Sequence, residues 1–118
     1  MLYVDADEAD RARGTEVLRA AGATVREAST ASEARQLLTD AVADVLVCDL
    51  GAIVPVGAEL LDWLRARSGA RAVRAVALAT SAIDDAPSRA FAAGFDQVVN
   101  KPVDTTELER RVRETLRR

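Results

Sequence analysis

The chain has 118 residues and a formal net charge of -3; hydrophobic residues make up 49% of it, but aromatic ones only 3%. That length fits one domain with a single core built mainly of Ala, Val and Leu, and the acidic balance argues against a general nucleic-acid binder, whose affinity comes from cationic contacts to phosphates. With no His and a single Cys, Cys48, the chain lacks the commonest acid/base group and metal ligand, carries no phosphohistidine of its own, and forms no internal disulfide.

In chain order, short apolar runs alternate with longer stretches of helical period, the pattern of repeated βα units around a parallel sheet. A first strand is expected at residues 2 to 5, then a helix from Glu8 to Ala21 stopped by Gly22. The second strand, residues 24 to 27, is polar enough to suggest a sheet edge. Thr30 and Glu33 have capping-box spacing at the start of the second helix, whose buried stripe should be Leu37, Leu38 and Val42. The third strand spans residues 44 to 49, and a Gly- and Pro-containing loop runs through Gly57. The third helix carries Leu60, Leu61 and Leu64 inward and ends near Gly69; Trp63 on its flank is either half-buried packing or an exposed contact. A fourth strand at 75 to 80, a fourth helix at 85 to 93 with Phe91 inward and a fifth strand at 96 to 100 follow. The last helix starts at Asp104 and should bury Leu108, Val112 and Leu116. Its Arg cluster (Arg110, Arg111, Arg113, Arg117, Arg118) reads as a solvated face paired with Glu107, Glu109 and Glu114 rather than as a partner surface. Cys48 reads as a small buried hydrophobe.

Fifteen of the sixteen basic residues are Arg, and the single Lys, Lys101, precedes Pro102 at the end of the fifth apolar run. An ammonium kept in so Arg-biased a chain is a candidate functional group, because a compact point charge differs from a guanidinium fork. Asp5, Asp49 and Thr80 close three other runs. In an open parallel sheet the carboxyl ends of the strands line one crevice, so these four residues should converge.

Val4-Asp5, Asp49-Leu50, Gly57-Ala58-Glu59-Leu60-Leu61, Thr80-Ser81 and Lys101-Pro102, in this order at strand ends, resemble the receiver domain of bacterial two-component response regulators over essentially all of residues 1 to 118. The resemblance implies a flavodoxin-like, doubly wound α/β fold with five parallel strands in the order 2-1-3-4-5, helices one and five on one face and two to four on the other. It implies that Asp49 accepts a phosphoryl group from a histidine kinase or phosphotransfer partner, and that Asp5, Asp49 and the carbonyl of Gly51 hold Mg²⁺. Thr80 and Lys101 would contact phosphoryl oxygens, and Pro102 would follow a cis bond. Such a chain is a phosphoacceptor rather than an enzyme, with at most slow self-dephosphorylation.

The chain departs from the family in three places. Ala6 stands where the family has a second acid, which implies weakened Mg²⁺ binding; Asp7 and Glu8 are nearby, but a helix N-terminus favours acids there as caps. Val98 stands where the family often has a switching aromatic, and Gly51-Ala52-Ile53 replaces the more usual Met-Pro step.

The expectation is therefore a single receiver domain without an effector domain, cytoplasmic, with no membrane span, no signal peptide and no direct nucleic-acid contact. Its output would be a protein contact through the fourth helix, fifth strand and fifth helix. The alternative is a pseudo-receiver, a binding module of the same fold that no longer depends on phosphate. A flavin or nucleotide binder is disfavoured because no Gly-rich phosphate loop follows the first strand.

Overall fold

The structure is a computed structural model that describes residues 1–40, 43–50, 54–68, 73–79 and 86–116. Strands β1 (Leu2–Val4), β2 (Arg26–Ala28), β3 (Val45–Asp49), β4 (Arg74–Ala79) and β5 (Gln97–Asn100) alternate with helices α1 (Glu8–Ala20), α2 (Ala31–Asp40), α3 (Val54–Ser68), α4 (Ala86–Ala92) and α5 (Thr105–Leu116). All strand pairs are parallel, in the order β2-β1-β3-β4-β5. This is the flavodoxin-like doubly wound fold that the family resemblance implied, built on the parallel βα pattern of the sequence.

Strand side chains alternate between the two faces of the sheet, so each strand feeds two cores. On one side Tyr3, Val45, Val47, Val76, Leu78 and Val99 pack with Leu18 of α1 and with Leu108 and Val112 of α5. On the other, Leu2, Leu46, Cys48, Ala75, Ala77 and Ala79 pack with Leu38, Leu60, Leu61, Leu64 and Ala90 from α2, α3 and α4. In β4 the two faces differ in size, three Ala residues against Val76 and Leu78, so α3 and α4 can approach the sheet closely. Cys48 is buried and unpaired, and burial pushes its thiol pKa up to about 12.

Several sequence expectations need correction. Strand β2 starts two residues later and ends one later than expected, because pairing sets it: Leu2 registers with Arg26 and Val4 with Ala28. Helix α3 already begins at Val54, with Pro55 in its first turn, where a missing N–H costs nothing. Phe91 is not inward but 52% exposed; α4 turns Ala90 to the sheet, and Phe95, just past the left-handed Gly94 (φ 104°), fills the core instead. In α5 the third buried residue is Thr115, not Leu116, which is 51% exposed. At about 100° per residue, seven positions after Leu108 return to the buried face within ~20°, whereas eight overshoot it by ~80°. Thr115 resolves its buried hydroxyl by donating to the Arg111 carbonyl at 2.9 Å.

Capping follows the sequence more closely. Thr30 Oγ1 accepts the Glu33 N–H at 3.1 Å, although the Glu33 carboxylate reaches back to Ser29 rather than to Thr30. Asp104 Oδ1 accepts the N–H groups of Thr106 and Glu107 at 2.9 and 3.1 Å. Trp63 is half-buried against the core, with the guanidinium of Arg67 4.9 Å and that of Arg35 5.9 Å from its ring centre. Val42 and Gly69 lie outside the described residues. Among the described residues no helix is long and apolar enough to cross a membrane.

Candidate functional site

Three of the sequence-selected residues meet at the carboxyl rim of the sheet. Lys101 follows β5, its N–H donating to the Ala79 carbonyl at 2.7 Å, and it enters Pro102 through a cis peptide bond. Its ammonium Nζ lies 2.9 Å from Asp5 Oδ2 and 3.4 Å from Asp49 Oδ2. The Asp5 side chain is fully buried, whereas those of Lys101 and Asp49 are 10% and 14% exposed. Thr80 and Gly51 lie outside the described residues.

Hydrogen bonds hold both the main chain and the carboxylate of Asp5. Its N–H donates to Ala28, its carbonyl accepts from Arg11 Nη1 at 2.9 Å, and its Oδ1 accepts the Asp7 N–H at 2.9 Å. Asp7 itself is the N-cap of α1, accepting the Asp10 N–H, which lowers its own pKa and confirms the capping role over entry into the pocket. Ala6 is exposed and offers no donor atom.

Sequence reasoning missed Asp10. Its Oδ2 stands 3.2 Å from Lys101 Nζ, so a third carboxylate enters from the first turn of α1. Asp10 ends no apolar run, and an acid at that position reads as a partner of the helix dipole. A signal did exist in Gly14, four residues on and therefore on the same helix face. A Cβ at Gly14 would overlap the Tyr3 ring, so glycine lets α1 approach β1 closely enough for Asp10 to reach the rim.

The electrostatics follow from this crowding. Burial alone would lower the pKa of the Lys101 ammonium, but Asp5, Asp49 and Asp10 outweigh it and raise the pKa above the ordinary lysine value. Burial raises the pKa of the Asp5 carboxyl, against the opposing pull of Lys101 and the Asp7 N–H. Below them the Tyr3 hydroxyl is buried with no hydrogen-bond partner among the described residues, and burial together with Asp5 raises its pKa. Counting formal charges, three carboxylates and one ammonium leave the pocket anionic, suited to a cation or to a reaction that places cationic ligands around transferred oxygens.

Mg²⁺ is the cation the family resemblance implies. Among the described residues no group of three or more His, Cys, Asp or Glu side chains is arranged to hold a metal ion. Asp5 and Asp49 nevertheless both bring a carboxylate oxygen to the Lys101 ammonium, and one or two hard carboxylates completed by water suffice for Mg²⁺. The donor set therefore fits the ion in kind.

Comparison with known proteins points the same way. The response regulator receiver domain family matches residues 1–113. A Sinorhizobium fredii protein described as "Probable transcriptional regulatory protein y4xI" is 37% identical over 120 residues, covering 99% of this chain and 50% of that protein. The chain thus spans half the length of that relative, while it spans 87% of a 14.6 kDa protein of Leptolyngbya boryana that is 32% identical. Among solved structures, a Chloroflexus aurantiacus protein described as a response regulator has a TM-score of 0.85 at 30% identity, covering 99% of this chain and 96% of that one.

Proposed function

Since this chain belongs to the response regulator receiver domain family, we propose that it is a phosphoacceptor module in which Asp49 takes a phosphoryl group from a histidine kinase or phosphotransfer partner. The observation that carries this reading is the Lys101 ammonium, 3.4 Å from Asp49 Oδ2 and anchored at 2.9 Å by Asp5. A carboxylate oxygen of Asp49 attacks phosphorus, the bond to the donor's imidazole nitrogen breaks, and the imidazole leaves with a proton in place of the phosphoryl group. Such a transfer depends mainly on positioning and on neutralising the transferred oxygens.

Lys101 already faces the attacking carboxylate and would shift a proton contact from Asp49 to a phosphoryl oxygen, with Asp5 holding its stem end in place. Asp5 and Asp49 are the described residues that would hold Mg²⁺, which supplies further neutralisation of the phosphoryl oxygens when bound. Thr80 and the Gly51 carbonyl belong to the same reading through the family resemblance. The protein is an acceptor with at most slow self-dephosphorylation, works in the cytoplasm, and passes its signal by protein contact. The surface of α4, β5 and α5, where Phe91 and Leu116 are exposed, is the contact we assign to that output.

A second reading is favoured by Ala6, which leaves the pocket one acid short: a pseudo-receiver that binds its partner without phosphate. Incubation with saturating Mg²⁺ and a small phosphodonor separates the two, with Asp49→Asn as control. Mass spectrometry should show one phosphoryl group on the wild type and none on the variant. An unmodified wild type overturns the phosphoacceptor reading in favour of the second.

A further inference from the structure

An ammonium has three N–H donors, and the Lys101 ammonium has a carboxylate oxygen near it for each: Asp5 at 2.9 Å, Asp10 at 3.2 Å and Asp49 at 3.4 Å. Two of these acids stand at strand ends, where the fold itself fixes them. Asp10 differs, because it comes from α1 and its side chain, 23% exposed, closes the clamp from the solvent side. Its backbone is tied to the same pocket through a relay: the Asp10 N–H donates to Asp7 Oδ1, and the Asp7 N–H donates to Asp5 Oδ1, each at 2.9 Å. The helix is held close by the fit of Tyr3 against Gly14, one turn further on.

We propose that Asp10 is the positioning residue for Lys101, which holds the ammonium at the centre of the rim with the charge that position 6 does not provide. Without Asp10 the long lysine stem keeps, among the described residues, two partners on the sheet and none above it, so its head is freer to swing toward water. An unbranched stem loses much rotamer freedom when it is fixed, and each charge-assisted contact it makes offsets part of that cost. The kinetic consequence for Asp49 rests on the phosphoacceptor reading; the placement of the ammonium does not.

Lys101 is the only lysine in the chain, so ¹⁵N-lysine labelling gives one side-chain ammonium signal. At low temperature, exchange of its protons with water should be about tenfold faster in Asp10→Ala than in the wild type, the scale expected for one charge-assisted hydrogen bond. Asp10→Glu should recover most of the protection, and Asp10→Asn, which keeps the shape without the charge, should not. Circular dichroism confirms that each variant is folded. Equal exchange in the wild type and a folded Asp10→Asn overturns the proposal. So does unchanged exchange accompanied by weaker Mg²⁺ binding in calorimetry, which would make Asp10 a metal group instead. In the phosphodonor assay at saturating Mg²⁺, Asp10→Ala should slow modification of Asp49 with no change in half-saturating Mg²⁺. If the wild type is not modified at all, the phosphoacceptor reading falls while the ammonium signal still decides the role of Asp10.

Discussion

The rim of the sheet and the outer face of α5 are both built from opposed charges, yet they behave as different materials. On α5, Arg110 pairs with Glu114, Arg111 with Glu107 and Arg113 with Glu109, each a single pair one helical turn apart. The side chains of Arg110 and Arg113 are 58% and 59% exposed, so water and salt screen what they gain. At the rim one ammonium serves three carboxylates, and the Asp5 side chain has no exposure at all. The α5 charges compensate one another and can be lost singly; the rim charges are in excess and depend on one residue. Only the second arrangement stores the imbalance that ligand or phosphoryl chemistry can draw on.

Lys101→Met should break the contrast most severely. It leaves a fully buried carboxylate uncompensated, and denaturant unfolding should show a loss of about 3 kcal/mol at neutral pH. The pH dependence has a definite sign. The native state raises the Lys101 pKa above 10.5, so it retains a proton that the unfolded chain gives up; the stabilisation is complete below about pH 10.5 and is lost as pH rises beyond it. Tyr3, raised above 10.0, acts in the same direction. Urea titrations across the alkaline range should therefore show falling stability, with the lysine share absent from Lys101→Met and the tyrosine share absent from Tyr3→Phe.

Gly14→Ala tests how the rim is assembled. Alanine favours helix, but here its Cβ meets the Tyr3 ring, and overpacking of this kind should cost about 2 kcal/mol in thermal or urea melts. Tyr3→Phe should go the other way by about 1 kcal/mol, since it removes a buried hydroxyl without a partner among the described residues and keeps the ring. The smallest effect belongs to α5, where Arg113→Ala should change stability by about 0.5 kcal/mol or less, and less still in high salt.

How much of this was legible in the sequence depended on whether one residue could speak for itself. A lone lysine in an arginine-rich chain and acids at the ends of apolar runs marked Asp5, Asp49 and Lys101, since strand ends in a parallel sheet share one edge whatever the details of packing. The alternation of apolar runs with helical stretches likewise marked repeated βα units and a parallel sheet, whereas the strand order and the division of helices between the faces came from the family resemblance. Asp10 was hidden because its role depends on how near α1 lies to β1, a distance set jointly by Tyr3 and Gly14. Phe91 and Leu116 misled for a related reason. Their hydrophobicity suggested burial, but Phe95 had filled the space by α4, and the helical period in α5 brought Thr115 to the core.

The single thiol of Cys48 has a practical corollary. Enclosed in β3 and held in its protonated form, it should ignore maleimides while the protein is folded. A cysteine introduced on the exposed side of α4 or α5 would then be the sole attachment point for a dye or spin label. The native chain thus already has the background that single-site spectroscopy usually requires engineering to obtain.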